Sequence, residues 1–383
     1  MQAENEILVR YGEIFLKSEM VRKIYEKKLV ERIKSLLKKA GIKFEIYKKR
    51  GRIFVKTEKI TKASEILRKV FGIVSFSPCI HLNTSKKEEI IKFFKKKYNK
   101  FVKPGKTFAL EVRRIGKHDY SSQQLANEIG KVIRRKVNLS KPDVKIFIEV
   151  RENDVYIYTK KVKCLGGMPV SSSGKVLSLI SGGIDSPVAS WLAMKRGCKV
   201  VFIHFHSFPL VSKKSIEKTK ELIKVLNEYQ GKSKLYLIPF SEIQTRIKSL
   251  APAKQRIVLY RRAMLKIAEE IAKKENAKAL VTGESLAQVS SQTLDNILAI
   301  EEATSLPVLR PLIGMDKLEI IELAKKIKTY EISIRPQEDC CTLFVPKHPT
   351  TKAKLETIKK IEKKLKLEKL LEKAVKKAEI LLE

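Results

Sequence analysis

Acidic side chains are the scarce ingredient of this 383-residue chain: 42 Asp and Glu stand against 81 Lys and Arg, a formal net charge of +39. That excess goes beyond what solubility needs and points to a polyanionic partner, with nucleic acid as the best match. Charge alone does not separate RNA from DNA. Lys- and Glu-rich surfaces also mark thermophile proteins, but those keep the two signs near balance, so this composition is thermophile-like only in part. Long apolar runs are missing too. No stretch approaches the ~18 apolar residues of a membrane-crossing helix. Glu4, Glu6 and Arg10 interrupt the N-terminus where a signal peptide would carry its apolar core. The expectation is a soluble, cytoplasmic protein with no membrane partner.

Cysteine is sparse and unpatterned. Cys79, Cys164, Cys198, Cys340 and Cys341 form an odd, scattered set unlike a disulfide framework. No C-x-x-C is present, so no zinc ribbon or cluster site is signalled and no metal site follows from a protein motif. Two common nucleotide loops are also absent. Gly174-Lys175 is followed by Val176, and Pro169 stands where the first glycine of G-x-x-x-x-G-K-[ST] belongs. There is no G-x-G-x-x-G, and no glycine-rich loop of the kind that binds S-adenosylmethionine.

What is present is Leu177-Ser178-Leu179-Ile180-Ser181-Gly182-Gly183-Ile184-Asp185-Ser186-Pro187. The mostly apolar start reads as a buried strand, the glycines turn it, and Asp-Ser-Pro opens a helix. Backbone N–H groups and the positive end of a helix dipole then converge on one concavity that suits phosphate. Gly182 and Gly183 are expected to take the dihedrals of an anion nest and to leave the approach free of Cβ atoms. Ser181 and Ser186 are expected to add hydroxyl donors, and Pro187 fits the first helical turn.

Around this loop the chain reads as three modules. Residues 1–58 begin a β-α-β-β-α order, the outline of a ferredoxin-like unit, whose second helix covers 61–70. Residues 59–164 carry a basic helix over 86–101, a strand at 108–114 ending in Arg113-Arg114, and a helix over 122–135. A hairpin turned at Glu152-Asn153-Asp154 follows. Lys117, Lys131, Arg134 and Arg135 join the two arginines as the candidate RNA contacts. A Gly/Ser-rich linker spans 165–174. Residues 175–383 alternate strand and helix, which predicts a doubly wound parallel α/β sheet, and 351–383 read as an amphipathic helical tail packed on it.

Other motifs fall at the carboxyl ends of predicted strands, where such folds bind ligands. His204 and His206 lie on one face of a strand, but with no third ligand nearby His204 and Phe205 are better read as lining a nucleotide pocket. Thr282-Gly283-Glu284-Ser285 ends another strand, with Gln288 and Gln292 one turn apart. In Tyr260-Arg261-Arg262 the bland reading is a solvated basic face. Asp316 suits a helix cap and Lys317 a phosphate cation. Cys340-Cys341 lies in a loop between Pro336 and Pro346, where nearby lysines favour a thiolate.

These segments together resemble a family. The SGGIDSP loop is similar to the SGGxDS loop of PP-loop ATP pyrophosphatases, of the adenine nucleotide alpha hydrolase-like class. With Gly166–Val170, His204–Pro209, Thr282–Ser285 and Glu338–Cys341, the chain is identified as a member of the tRNA 4-thiouridine synthetases, the ThiI family of tRNA sulfurtransferases. Val9–Ser18 carries the same likeness, and 73–160 resembles a THUMP RNA-binding domain.

The resemblance implies adenylation of the uridine at tRNA position 8 with ATP and Mg2+, then sulfur delivery from a persulfide. It implies nucleotide contacts at Leu179, Ile180, Ser181, Gly182, Gly183, Asp185, Ser186, His204, Phe205, Arg261, Gly283 and Gln292. Asp185 would hold Mg2+ or shape the loop, Lys317 would stabilise phosphate charge, and Cys340 or Cys341 would carry sulfur. Some members bear a rhodanese domain, the feature tied to thiamine synthesis; this chain stops before one, so a cysteine desulfurase or another persulfide or sulfide donor is expected to serve it. The linker also allows a homodimer in which the acceptor stem meets a partner subunit. The competing readings are another PP-loop RNA ligase or thiolase, and a non-catalytic THUMP RNA-binding protein.

Overall fold

A computed structural model describes residues 4–49, 51–336 and 348–383. The chain divides into two compact units, Met1–Pro169 and Val170–Glu383.

The first unit runs β1 (Glu6–Tyr11), α1 (Glu19–Lys39), β2 (Glu45–Lys49), β3 (Arg52–Lys56), α2 (Ile60–Leu67) and β4 (Ile73–Leu82). It continues with α3 (Lys87–Lys97), β5 (Phe108–Ile115), α4 (Ser122–Val132), β6 (Val144–Arg151), β7 (Asp154–Tyr158) and β8 (Val162–Lys163). Leu29, Ile33 and Leu37 put an apolar stripe of α1 onto the sheet. Ala63 and Leu67 of α2 enter the same core. The ferredoxin-like module therefore continues past the division drawn at 58 and 59, because its second helix is needed to close its core. The long strand β4 then serves both modules, in the order β2-β3-β1-β4-β7-β6-β5.

That sheet curls on itself. Phe54 on β3 and Tyr156 on β7 are separated by β1 and β4, three steps or about 14 Å in a flat sheet, yet their ring centroids lie 4.3 Å apart. Tyr47 stacks on Phe54 at 4.9 Å and His81 on Tyr156 at 4.7 Å. The face turned away from the helix-packed cores is thus an interior, with Leu8, Phe54, Cys79 and Tyr156 fully buried.

The second unit begins with β9 (Lys175–Leu179), α5 (Asp185–Lys195), β10 (Lys199–His206), α6 (Lys214–Gln230), β11 (Lys234–Pro239), α7 (Ser241–Leu250) and α8 (Arg256–Lys274). There follow β12 (Leu280–Val281), α9 (Leu294–Glu301), β13 (Val308–Leu309), α10 (Lys317–Lys326) and α11 (Tyr330–Ser333). The chain closes with α12 (Leu355–Leu365), α13 (Glu368–Lys376) and β14 (Glu379–Leu382). The sheet order is β13-β12-β9-β10-β11-β14, parallel except for the last strand. β14 corrects the expectation of a wholly helical tail: Glu379–Leu382 pairs antiparallel with β11 and covers an edge that would otherwise expose unpaired amides. No helix among the described residues is long and apolar enough to cross a membrane.

Candidate active site

The chain order reverses about β9, whose neighbours are β10 on one side and β12 on the other. Loops leaving the carboxyl ends of these strands open a crevice there. The loop after β9 is wired by its own hydroxyls. The Ser181 N–H donates to Ser186 Oγ at 2.8 Å, Ser186 Oγ donates to the Ser181 carbonyl at 3.3 Å, and the Gly183 N–H donates to Ser181 Oγ at 3.3 Å. Ser190 Oγ donates to the Ser186 carbonyl, also at 2.8 Å.

The two serines therefore shape the loop rather than standing as free donors. Gly182 and Gly183 also differ from expectation, since neither has a positive φ. Gly183 lines the cavity without a Cβ, and neither glycine takes the left-handed conformation of a nest. The glycine under real constraint is Gly283: a Cβ there would lie 2.7 Å from the Ser186 nitrogen and 2.9 Å from the Asp185 carbonyl carbon. Only glycine lets the end of β12 come this close to the start of α5.

A cavity of about 250 Å³ lies against this loop. Of the twelve residues expected to bind nucleotide, eleven line it, all but Gly182. They come from the β9 loop, the end of β10 (His204 and Phe205), α8 (Arg261), the end of β12 (Gly283) and the short 3-10 turn Ser290–Gln292. His204 is buried, with Nδ1 2.9 Å from the Ile180 carbonyl. Burial holds the neighbouring His206 at a pKa of about 4, so it is neutral at pH 7.

Asp185 and Lys317 meet although 132 positions apart: Lys317 Nζ donates to Asp185 Oδ1 at 2.5 Å. Gln288 Nε2 donates to Oδ2 of the same carboxylate at 3.0 Å. Lys317 is the first residue of α10, and Asp316 caps it in a reciprocal box with Glu319. A tight helix start thus fixes the backbone beneath the lysine.

The adjacent arginines of α8 part company. Arg261 faces the cavity, while Arg262 is buried among the Ala299 carbonyl, Glu302 and Glu362 and ties α8 to α9 and α12. Neither sits on the solvated face that the sequence suggested. Among the described residues no group of three or more His, Cys, Asp or Glu could hold a metal ion. Asp185 is the carboxylate beside the loop, a donor set that fits Mg2+ carried mainly by phosphate oxygens.

Sequence reasoning left out Glu284 and Arg310. Glu284 follows Gly283 in a motif already singled out, and its carboxylate accepts from Arg261, from Arg310 Nε at 2.7 Å and from Thr282 Oγ1 at 3.0 Å. Burial alone would raise this carboxyl; the two guanidiniums outweigh it and hold the group below the usual carboxylate range.

Cys340 and Cys341 lie outside the described residues. The described chain leading toward them is tied to the loop, for Ser333 Oγ donates to the Gly183 carbonyl at 3.3 Å, and to α6, for Lys218 Nζ donates to the Arg335 carbonyl at 2.7 Å.

In the first unit the candidate RNA contacts separate into two groups. Arg113, Arg114 and Lys117 lie at or beyond the end of β5, where Arg114 packs over the Tyr120 ring. Lys131, Arg134 and Arg135 lie at the far end of α4, where Arg135 packs over Tyr98 and bonds Asn99. The helix between them is 11 residues long, about 16 Å at 1.5 Å per residue.

Sequence comparisons agree across the chain. Residues 171–367 match the family described as "Thiamine biosynthesis protein (ThiI)", 6–77 its ferredoxin-like domain and 85–160 the THUMP domain. A "Probable tRNA sulfurtransferase" of Acetivibrio thermocellus is 44% identical over 388 aligned residues, covering 98% of both chains. Another, of Halothermothrix orenii, is 45% identical with the same coverage. The fold matches a crystal structure of a 4-thiouridine synthetase–RNA complex with bound ATP at a TM-score of 0.87 and 35% identity, covering 99% of each chain.

Proposed function

The chain belongs to the ThiI family of tRNA sulfurtransferases, and from that premise we propose the reaction: ATP-dependent replacement of the 4-oxygen of uridine 8 in tRNA by sulfur, giving 4-thiouridine. The observation that carries it is the gathering of eleven expected nucleotide contacts from five segments around one cavity. A uridine carbonyl oxygen is a poor leaving group; adenylation lets it depart with AMP.

In this reading the backbone amides at the start of α5 take phosphate. Lys317 neutralises charge on the adenylyl phosphate as pyrophosphate leaves, and Asp185 holds Lys317 and would be the carboxylate to hold Mg2+. The basic first unit takes the tRNA through counterion release. Sulfide would displace AMP from the adenylate directly, whereas a persulfide donor such as a cysteine desulfurase would pass its outer sulfur to the Cys340 or Cys341 thiol by exchange and leave as its own thiol. Ser333 supports that last role, since it anchors the chain leading to those cysteines beside Gly183. A homodimer is compatible with the same scheme, and sedimentation with and without tRNA tests it.

The deciding experiment is single-turnover thiolation of an unmodified tRNA transcript with ATP, Mg2+ and sulfide, comparing wild type with C340S, C341S and the double variant. Thiouridine from wild type is the expected result, with the double variant keeping it on sulfide and losing it when a persulfide donor replaces sulfide. Wild type that neither thiolates the transcript nor releases AMP in its presence would overturn the reaction.

A further inference from the structure

Arg310 and Glu284 have no place in the scheme above, yet both line the nucleotide cavity. They belong to a chain of alternating charge, Arg261–Glu284–Arg310–Glu301, drawn from α8, the ends of β12 and β13, and α9. The Glu284 side chain is 5% exposed and that of Arg310 10%. Arg310 donates Nε to Glu284 at 2.7 Å and Nη1 to Glu301 at 2.6 Å. Its Nη2 is buried and has no hydrogen-bond partner among the described residues.

Arg262 supplies the contrast. It is more deeply buried, at 3% exposure of its side chain, but its Nε, Nη1 and Nη2 are all engaged by α12, by α9 and by Glu302 just after it, and it does not line the cavity. A guanidinium that only braces helices spends its donors on the protein. Arg310 keeps one back at a cavity wall, where an unmade hydrogen bond to a buried cation costs stability until a ligand supplies it.

We infer that Arg310 joins Arg261 as a nucleotide-binding guanidinium and that Glu284, pinned between them, is their positioning residue. The inference rests on ATP being the ligand of this cavity. Arg310 directly follows the edge strand β13, two strands from the phosphate loop of β9, about 10 Å across the sheet. The wall near it is apolar, with Val308, Ile300 and Leu265. A flat base suits that wall and a triphosphate does not, so Arg310 meets the adenosine half. Glu284 is no proton shuttle, because both its oxygens are occupied by guanidinium donors. It fixes where the two forks point, and a bidentate or stacked arginine works only when its plane is set.

The test is calorimetric titration of the full chain with AMP and with ATP, for wild type, R310M, E284Q and R310M/E284Q, with melting in the absence of nucleotide recorded alongside. R310M leaves Glu284 paired with Arg261 and Thr282, so the fold should hold; E302Q, which pairs with Arg262 and Lys359 and does not line the cavity, serves as a control with little effect. R310M should weaken AMP and ATP alike by about 10–100-fold, the worth of a charge-assisted hydrogen bond. E284Q should weaken both, and less so in the R310M background, a coupling that a merely structural role would not produce.

Unchanged AMP affinity in R310M overturns the inference and leaves the proposed function standing. A loss confined to ATP places Arg310 on the phosphates and overturns the adenosine assignment. Wild type that binds neither nucleotide overturns the function and the inference together.

Discussion

The two units use a β-sheet in opposite ways. In the second unit helices cover a parallel sheet and the chemistry sits at its rim, in loops that follow β9, β10 and β12. In the first unit the polar machinery lies on the sheet itself, inside the curl. Glu149 of β6 is surrounded there by Arg151 at 2.9 Å, Arg52 at 3.4 Å and Arg10 at 3.7 Å, from three different strands. The second unit's counterpart, Glu284, holds two arginines at the wall of an open cavity. Both carboxylates gather arginines from separate elements, and under the inference above Glu284 also aims them at a ligand. Burial and charge are alike in both, and each adjoins a cavity, since Glu149, Arg52 and Arg151 line one together with Arg113 and Arg114; what differs is that Glu149 is shared by three arginines of the sheet and Glu284 by two that reach it from α8 and from the end of β13.

The comparison breaks most sharply at Asp185. Asp185→Ala should lower tRNA-dependent AMP release by about 10³-fold, as expected when a preorganised charge at a phosphoryl centre is lost. It should leave tRNA affinity and melting temperature near wild type. Equal loss of tRNA binding would mean that the carboxylate supports the fold rather than the reaction. Glu149→Gln should do the reverse. Removing the charge leaves Arg10, Arg52 and Arg151 uncompensated in a buried site, a loss of about 3 kcal/mol by the behaviour of broken buried pairs. Denaturant unfolding should register it, while ATP binding by the second unit stays unchanged.

Gly283→Ala falls next, at about 1–3 kcal/mol for an overpacked contact. Its Cβ would press on the Ser186 and Asp185 backbone, so ATP affinity should fall together with stability. A variant that binds ATP normally would show that the β12 end can withdraw without cost.

How much could be read beforehand follows the same divide. The phosphate loop was legible because strand, turn and helix start lie within eleven consecutive residues and each has a local physical reason. The alternation of the second unit was legible for the same reason, although β14 was not: its pairing with β11 is decided by an open sheet edge, which no local pattern displays. Arg310 was passed over because its meaning depends on Glu284, 26 positions away. The curl of the first unit was not visible at all. Phe54 and Tyr156 each read as ordinary alternating strand residues, and only the bending of β4 between two modules brings their rings together. Splitting the basic cluster between two ends of α4 is a similar case, since sequence shows charge but not which end of a crossover carries it.

The smallest expected effect tests the clasp of that curl. His81 on β4 lies between Glu6 Oε1 at 3.0 Å and Asp154 Oδ1 at 2.5 Å, and Asp154 also pairs with Lys49 of β2. Burial alone would lower the imidazole pKa, but the two carboxylates outweigh it and the net shift is upward. A raised folded value means that His81 contributes fully below its unfolded pKa of about 6.5. The contribution fades as pH climbs through the folded value. Asp154 is shifted the other way: burial opposes the charge, Lys49 and His81 prevail, and the pKa falls. Its contribution is present above about pH 4 and fades as pH drops toward the folded value. The clasp is therefore tightest between about pH 4 and 6.5. Going from pH 5.5 to 8.5 should cost the wild type of order 1 kcal/mol, about 2–4 °C in melting for a unit of this size. His81→Gln should remove most of that slope without altering AMP binding. A variant with the wild-type slope would place the titration elsewhere and leave the curl held by its aromatic stack and the Glu149 cluster alone.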